Sequence, residues 1–239
     1  MATKPRSNGS ARRKRMLKNV KYVFFDVDDT IFDFDKCAEK IMSGLFEKHS
    51  LKYTPEVFPA FKKINKQFWR RIEQGEIDKK YLTEHRFETV FAYLGIDFDG
   101  PSFEKEFLRG LHDSCEEVDG AIDTVKYLAT KYPLFVASNA FYEQQINRLT
   151  LAGIIDCFKD VFVSEKVGCN KPSPEFFAKI LSLAHVDDPG SALMVGDSLE
   201  ADIIGAKKAG MQTCWFTESD GDEHADIVVH SIGELKEIL

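Results

Sequence analysis

The chain has 239 residues, 44% hydrophobic and 30% charged, with a formal net charge of −7, which suits one large domain or a core with a smaller appended unit. No apolar run approaches the roughly 18 residues a membrane-spanning helix needs, and the first residues lack the apolar stretch of a secretory leader. Five scattered cysteines without a CxxC pair, and histidines without metal-ligand spacing, argue against a zinc site or a disulfide framework and lead to the expectation of a reducing, cytoplasmic setting.

In chain order, residues 1–21 carry Lys4, Arg6, Arg12, Arg13, Lys14, Arg15, Lys18 and Lys21 and no acid. Met1–Asn19 has no periodic apolar face and reads as a disordered basic tail, either a solvated appendage or a localisation or nucleic-acid segment. The rest of the chain is acidic, which argues against a general nucleic-acid-binding surface. Next comes Lys21-Tyr22-Val23-Phe24-Phe25-Asp26, a short β-branched and aromatic run that predicts a buried strand.

From Asp33 to about Val118 the periodicity is helical. Ala38, Ile41, Met42, Leu45 and Phe46 share one helical face, and Val57, Phe61, Ile64, Phe68 and Ile72 share another after the start signal Thr54-Pro55. Leu82, Phe87, Val90, Phe91 and Leu94 form a third face ended by Gly95. Phe103, Phe107 and Leu111 form a fourth, with Ser102 as its N-cap. Further strands are predicted at Leu134–Ser138, Val161–Ser164, Ala192–Val195, Thr213–Phe216 and, more weakly, Ile227–Val229. Helices are predicted at Ala121–Lys131, Tyr142–Ala152, Pro174–Ala184, Leu199–Ala209 and Ser231–Leu239. The alternation implies an α/β fold with a doubly wound parallel sheet. The expected organisation is a core of residues 20–32 and 119–239 with a helical-bundle domain, 33–118, inserted after the first strand.

Ligands of such sheets bind at the carboxyl ends of the strands. Asp26, Asp28, Asp29 and Thr30 follow the first strand. Ser138 and Asn139 follow the second, Lys171 comes after the third, and Asp197 and Asp202 follow the fourth. Clustered carboxylates repel one another unless a hard cation sits among them, and Mg²⁺ prefers oxygen ligands with phosphate. A carboxylate can attack phosphorus, a second can move the proton, and a lysine with backbone N–H groups can hold the equatorial oxygens. Taken singly, Asp197 reads equally as a helix cap with Glu200, and Asp29 reads as a solvated turn residue.

These four groups, in order, resemble the motifs of the haloacid-dehalogenase (HAD) superfamily: Asp26-Val27-Asp28-Asp29-Thr30 as DxDxT, Ser138 as the second motif, Lys171 as the third, and Gly196-Asp197 with Asp202 as GDxxxxD. The resemblance covers about Tyr22 to Leu239. It implies Asp26 as nucleophile and metal ligand. Asp28 would be the acid/base, binding the metal through its carbonyl. Thr30 would orient the Asp28 loop and stand with the phosphate-binding groups. Ser138 and the Asn139 backbone would hold the phosphate, and Lys171 would pair with Asp26 and the phosphate. Asp197 would bind Mg²⁺, and Asp202 would order Lys171 or a metal-bound water. The helical insertion resembles the HAD cap. Its Ile64–Trp69, Gln74–Ile77 and His85–Glu88 stretches, with Val163–Gly168 and Thr213–Trp215, are similar to bacterial pyrimidine 5′-nucleotidases, which implies nucleoside monophosphates such as UMP, dUMP or dTMP. Phe32, Phe34, Trp69, Asn65 and Arg86 are candidates to face a base, though packing within the helices explains them as well. A sugar-phosphate phosphatase or phosphomutase is the alternative within the superfamily. A regulatory protein on a HAD core is the non-enzyme alternative. Asp28 argues against a dehalogenase, and the insertion argues against a receiver domain.

Overall fold

The structure, a computed structural model, describes residues 17–219 and 224–239. Up to residue 16 the expected basic tail lies outside the described residues. Residues 17–19, also assigned to that tail, belong to the core: Lys18 and Gln212 exchange two hydrogen bonds of 2.7 Å, each through one main-chain group of Lys18.

Six parallel strands form one sheet: β1 (Tyr22–Phe25), β2 (Leu134–Ser138), β3 (Phe158–Val163), β4 (Ala192–Gly196), β5 (Gln212–Phe216) and β6 (Ile227–Val229), in the spatial order β3-β2-β1-β4-β5-β6. The helices are α1 (Phe34–Lys48), α2 (Val57–Glu73), α3 (Lys79–Leu94), α4 (Gly100–His112), α5 (Ala121–Ala129), α6 (Tyr142–Leu151), α7 (Ser164–Val167), α8 (Pro174–Leu183), α9 (Gly205–Lys208) and α10 (Leu235–Ile238). Side chains alternate across the sheet as the strand period of two requires. Val23, Phe25, Leu134, Val136, Leu193 and Val195 pack on one face with Val125, Leu128, Leu149 and Leu235. Phe24, Phe135, Ala137, Ala192 and Met194 pack on the other with Phe176, Phe177 and Ile180. A sheet covered on both faces favours apolar residues at nearly every position of its central strands, which is why β1 and β4 read as apolar runs.

α1 to α4 enclose a separate apolar cluster, including Phe46, Phe61, Phe87, Phe91, Phe103 and Phe107. The chain leaves and re-enters the sheet layer at adjacent points. Asp33 N donates to Glu116 O at 2.9 Å and Val118 N to Ile31 O at 2.9 Å, so the two crossings run side by side. Because β1 is flanked by β2 on one side and β4 on the other, the strand order reverses there. A crevice opens at the carboxyl ends of these strands, facing the four helices. Among the described residues no helix is long and apolar enough to cross a membrane.

Four local expectations are corrected. β3 begins at Phe158, three residues before the expected start, which exposed Lys159 and Asp160 concealed by interrupting the apolar pattern. Residues 164–167 form the short helix α7, so the strand expected to run to Ser164 stops at Val163. α4 begins at Gly100 after Asp99, with Pro101 in its first turn, so Ser102 is not the cap. The expected helix Leu199–Ala209 is divided into a wide π-type turn, Leu199–Ile204, and α9.

Two glycines give opposite predictions. A Cβ on Gly100 meets the Glu88 backbone N at 2.3 Å, where α4 closes on α3, whereas one on Gly44, exposed in α1, meets nothing within 4 Å. Gly100→Ala is expected to lower unfolding stability by about 1–3 kcal/mol. Gly44→Ala is expected to raise it by about 0.5–1 kcal/mol, both read from urea unfolding midpoints.

Candidate active site

The crevice is a cleft of about 630 Å³ lined from the sheet side by Asp26, Asp28, Ser138, Asn139, Lys171, Asp197 and Asp202, and from the helices by Phe34, Asn65, Trp69, Glu73 and Arg86. Of the residues expected at the site, Thr30 and Phe32 do not line it.

Lys171 is the centre of this edge. Its ammonium, almost completely buried, donates to Asp26 Oδ1 at 2.6 Å, Asp202 Oδ1 at 2.6 Å and the Ala137 carbonyl at 2.7 Å. Three donors thus meet three acceptors without water. Burial opposes the charged lysine, but Asp202 and Asp26 outweigh it and raise its pKa above the ordinary lysine value. Its backbone is fixed as well: Asn139 Oδ1 accepts from Lys171 N at 2.8 Å while Asn139 Nδ2 donates to Lys171 O at 2.9 Å. The Asn139 side chain therefore sets the lysine's register, a role that sequence reading, which considered its backbone, did not find.

Among the described residues the Asp26 carboxylate accepts only on Oδ1, from the lysine. Burial, partly offset by Lys171 and reinforced by Asp202 and Asp28, pushes its carboxyl from the ordinary 3.8 up to about 8. Asp202 is engaged on both oxygens, with Lys171 on Oδ1 and Ser198 N on Oδ2 at 3.1 Å. It packs so close to Gly196 that a Cβ there would lie 2.3 Å from Oδ2, which explains the glycine. Asp197 is not a helix cap: Ser198 performs that task, accepting from Ala201 N at 3.1 Å. Among the described residues no donor meets the Asp197 carboxylate. Burial first, then Asp26 and Asp202, raise its pKa well above the usual range. The Trp215 indole anchors its main chain, donating to Asp197 O at 2.7 Å. Carboxylate oxygens of Asp26, Asp197 and Asp202 lie within 4.8 Å of one another. Lys171 gives no hydrogen bond to Oδ2 of Asp26 or to the Asp197 carboxylate, and a hard, oxygen-seeking divalent cation fits that donor set.

Asp28 is held from α6. Arg148 Nη1, fully buried, meets Asp28 Oδ1 at 2.5 Å, and Gln145 Nε2 donates to Oδ2 at 2.7 Å. Gln145 also donates to Ser138 Oγ at 3.3 Å, and Ala140 N donates to the same oxygen at 3.1 Å. With both lone pairs engaged, the Ser138 hydroxyl is left to donate toward the cleft. Sequence reading missed Gln145 and Arg148. The available signal was two polar residues three apart on the inward face of a helix following β2, beside buried Leu149. Thr30 departs from expectation. The chain turns back on Val27 O through Ile31 N and Phe32 N at 2.8 and 2.9 Å, burying the Thr30 hydroxyl without a partner. Phe32 likewise is sheet-layer core beneath the Arg148 guanidinium and is not a face for a base. Asp29 is an exposed turn residue at φ 57° that accepts from Phe34 N at 3.0 Å.

The sequence profile of the haloacid dehalogenase-like hydrolases matches residues 20–210. The chain is 31% identical to the HAD-hydrolase YfnB of Bacillus subtilis over 93% of its length and 95% of that protein's. A crystal structure of YfnB bound to magnesium, which reveals interdomain movement, superposes with a TM-score of 0.88 over 93% of this chain and 99% of that one, at 32% identity. The pyrimidine 5′-nucleotidase YjjG of Escherichia coli is 29% identical, covering 91% of this chain and 97% of its own. A glyceraldehyde 3-phosphate phosphatase of Pyrococcus furiosus is 28% identical, covering 93% and 94%.

The raised Asp26 carboxyl has a pH signature. A carboxyl whose pKa rises on folding contributes stability that is fully present below its ordinary value near 3.8 and lost as pH rises through about 8. In metal-free buffer, urea unfolding of the native protein and of Asp26→Asn from pH 5 to 9 is expected to show the native protein losing stability relative to the variant as pH increases. A constant difference would contradict the geometry.

Proposed function

The chain belongs to the haloacid dehalogenase-like hydrolases and is a phosphoric monoester hydrolase, and on that premise we propose a Mg²⁺-dependent 5′-nucleotidase acting on pyrimidine nucleoside monophosphates through an aspartyl-phosphate at Asp26. The observation that carries the reading is the buried Lys171 at 2.6 Å from Asp26 Oδ1, with no donor to Oδ2 of the same carboxylate among the described residues. The lysine holds one oxygen and thereby aims the other into the cleft.

In the proposed reaction Asp26 Oδ2 forms a bond to phosphorus as the ester P–O bond breaks. Asp28 gives a proton to the leaving oxygen, then takes one from the water that attacks the aspartyl-phosphate phosphorus, returning Asp26 as a carboxylate. Gln145 and Arg148 fix where the Asp28 carboxyl sits. Lys171 and the Ser138 hydroxyl stabilise the equatorial oxygens, joined by the Asn139 main chain. Asp26, Asp197 and the Asp28 carbonyl would hold Mg²⁺, whose charge offsets that of the phosphate in this acidic edge; Asp202 serves Lys171. The four-helix unit acts as a lid over the cleft and supplies the leaving-group pocket from Phe34, Asn65 and Trp69. A sugar-phosphate phosphatase is the competing reading, supported by the likeness to the Pyrococcus enzyme.

Phosphate release is to be measured with Mg²⁺ over nucleoside monophosphates, pentose and hexose phosphates and triose phosphates. The highest kcat/KM is expected for a pyrimidine monophosphate, with Asp26→Asn reducing turnover about 10³-fold or more. A clear preference for a sugar phosphate would replace the nucleotidase reading, and an active Asp26→Asn variant would remove the nucleophile.

A further inference from the structure

A hydrogen-bond chain crosses the helical wall of the cleft and ends at its surface. Glu104 on α4 is buried and accepts two bonds from Arg86 on α3, from Nη2 at 2.5 Å and Nε at 3.1 Å. Arg86 is 2% exposed. Its guanidinium carbon lies 5.0, 5.6 and 5.8 Å from the ring centres of Phe107, Phe61 and Phe87, which pack around it. The remaining prong, Nη1, donates to Asn65 Oδ1 on α2 at 2.8 Å.

This arrangement fixes the Asn65 amide. A guanidinium has donors and no acceptor, so Asn65 presents its oxygen to Arg86 and turns its NH₂ group away. Asn65 is half-buried and lines the cleft one helical turn from half-buried Trp69. No protein acceptor meets Asn65 Nδ2 among the described residues. There the only fully buried side-chain polar atoms without a partner are Thr30 Oγ1 and Tyr53 OH, so Nδ2 remains accessible. The buried Arg86–Glu104 pair thus converts an ambivalent amide into a donor-only group beside an aromatic surface.

We propose that Asn65 is a specificity-determining residue, locked by Arg86 and Glu104 to select leaving groups that offer a carbonyl acceptor to the helical wall. The inference rests on the nucleotidase reading, since a pyrimidine ring carries such a carbonyl together with a flat face for Trp69. A group offering only an N–H at that point meets donor with donor and is disfavoured, because both are desolvated without a partner.

The test is kcat/KM with Mg²⁺ for uridine 5′-monophosphate and for ribose 5-phosphate, which lacks the base, in the native protein, Asn65→Asp and Asn65→Ala. Asn65→Asp keeps the shape and the acceptor for Arg86 but removes both N–H donors. The ratio of the two kcat/KM values cancels any change in the active fraction of a variant, so a merely structural effect does not move it. In both variants the ratio is expected to fall about 10- to 100-fold. A ratio within about 2-fold of the native protein's in Asn65→Asp overturns the proposal, being less than one lost hydrogen bond. If the native protein itself shows no preference for uridine 5′-monophosphate, the nucleotidase reading fails instead, whatever the variants do.

Discussion

The chemistry of this edge depends on keeping one ammonium ion charged where water does not reach it. Lys171 achieves this by spending each of its three protons on an acceptor, two of them carboxylates. Desolvation of an isolated ammonium is costly enough to neutralise it. Here the paired charges outweigh burial, and the lysine is held more firmly protonated than in water. Removing the lysine would strand Asp26 and Asp202 against each other, a loss on the order of 3–5 kcal/mol. Asp202 therefore serves Lys171 and Ser198, and the glycine at 196 is the space its carboxylate occupies.

The same charge balance explains what remains open. One lysine cannot neutralise Asp26, Asp197 and Asp202 together, and the surplus falls on Asp26 Oδ2 and Asp197. A divalent cation and a phosphate complete such a set, each offsetting the other's charge. On the far side of Asp26, Arg148 links Asp28 to the route the chain takes between its layers. Besides Asp28 it donates through Nε to Ser114 O at 3.0 Å, just after α4, and its Nη2 lies 3.9 Å from Cys37 Sγ on α1. Asn147 adds a 2.8 Å bond to His112 O, and Lys79 on α3 donates to Ala140 O. The helical layer and the proposed acid/base thus share one set of polar contacts.

How much of this the sequence disclosed follows from range. Strands buried on both faces, such as Val23–Phe25 and Leu193–Val195, appear as apolar runs because nothing else is tolerated there. Asp26, Ser138, Lys171 and Asp197 were legible because each lies at the end of a recognisable strand or in the segment after it, and the switch in strand order brings those ends together. Arg148 was not legible: its partner Asp28 is 120 residues away, and locally it is one more polar residue on a helix. Thr30 was misjudged because the turn on Val27 O, a backbone matter, decides that its side chain points inward. Asn139 was found for its main chain, whereas its side chain does the positioning. Local pattern announces which groups exist, and only the folded chain decides which way each of them faces.

The central claim is that Asp26 carries the phosphoryl group covalently. Acid-quenching the enzyme during turnover and reducing it with borohydride converts an aspartyl-phosphate to homoserine, which mass spectrometry locates within the tryptic peptide Tyr22–Lys36. The account predicts homoserine at position 26, appearing only with substrate present. Phosphate release at full rate with position 26 recovered unmodified, and the adduct absent or at another carboxylate, would contradict it.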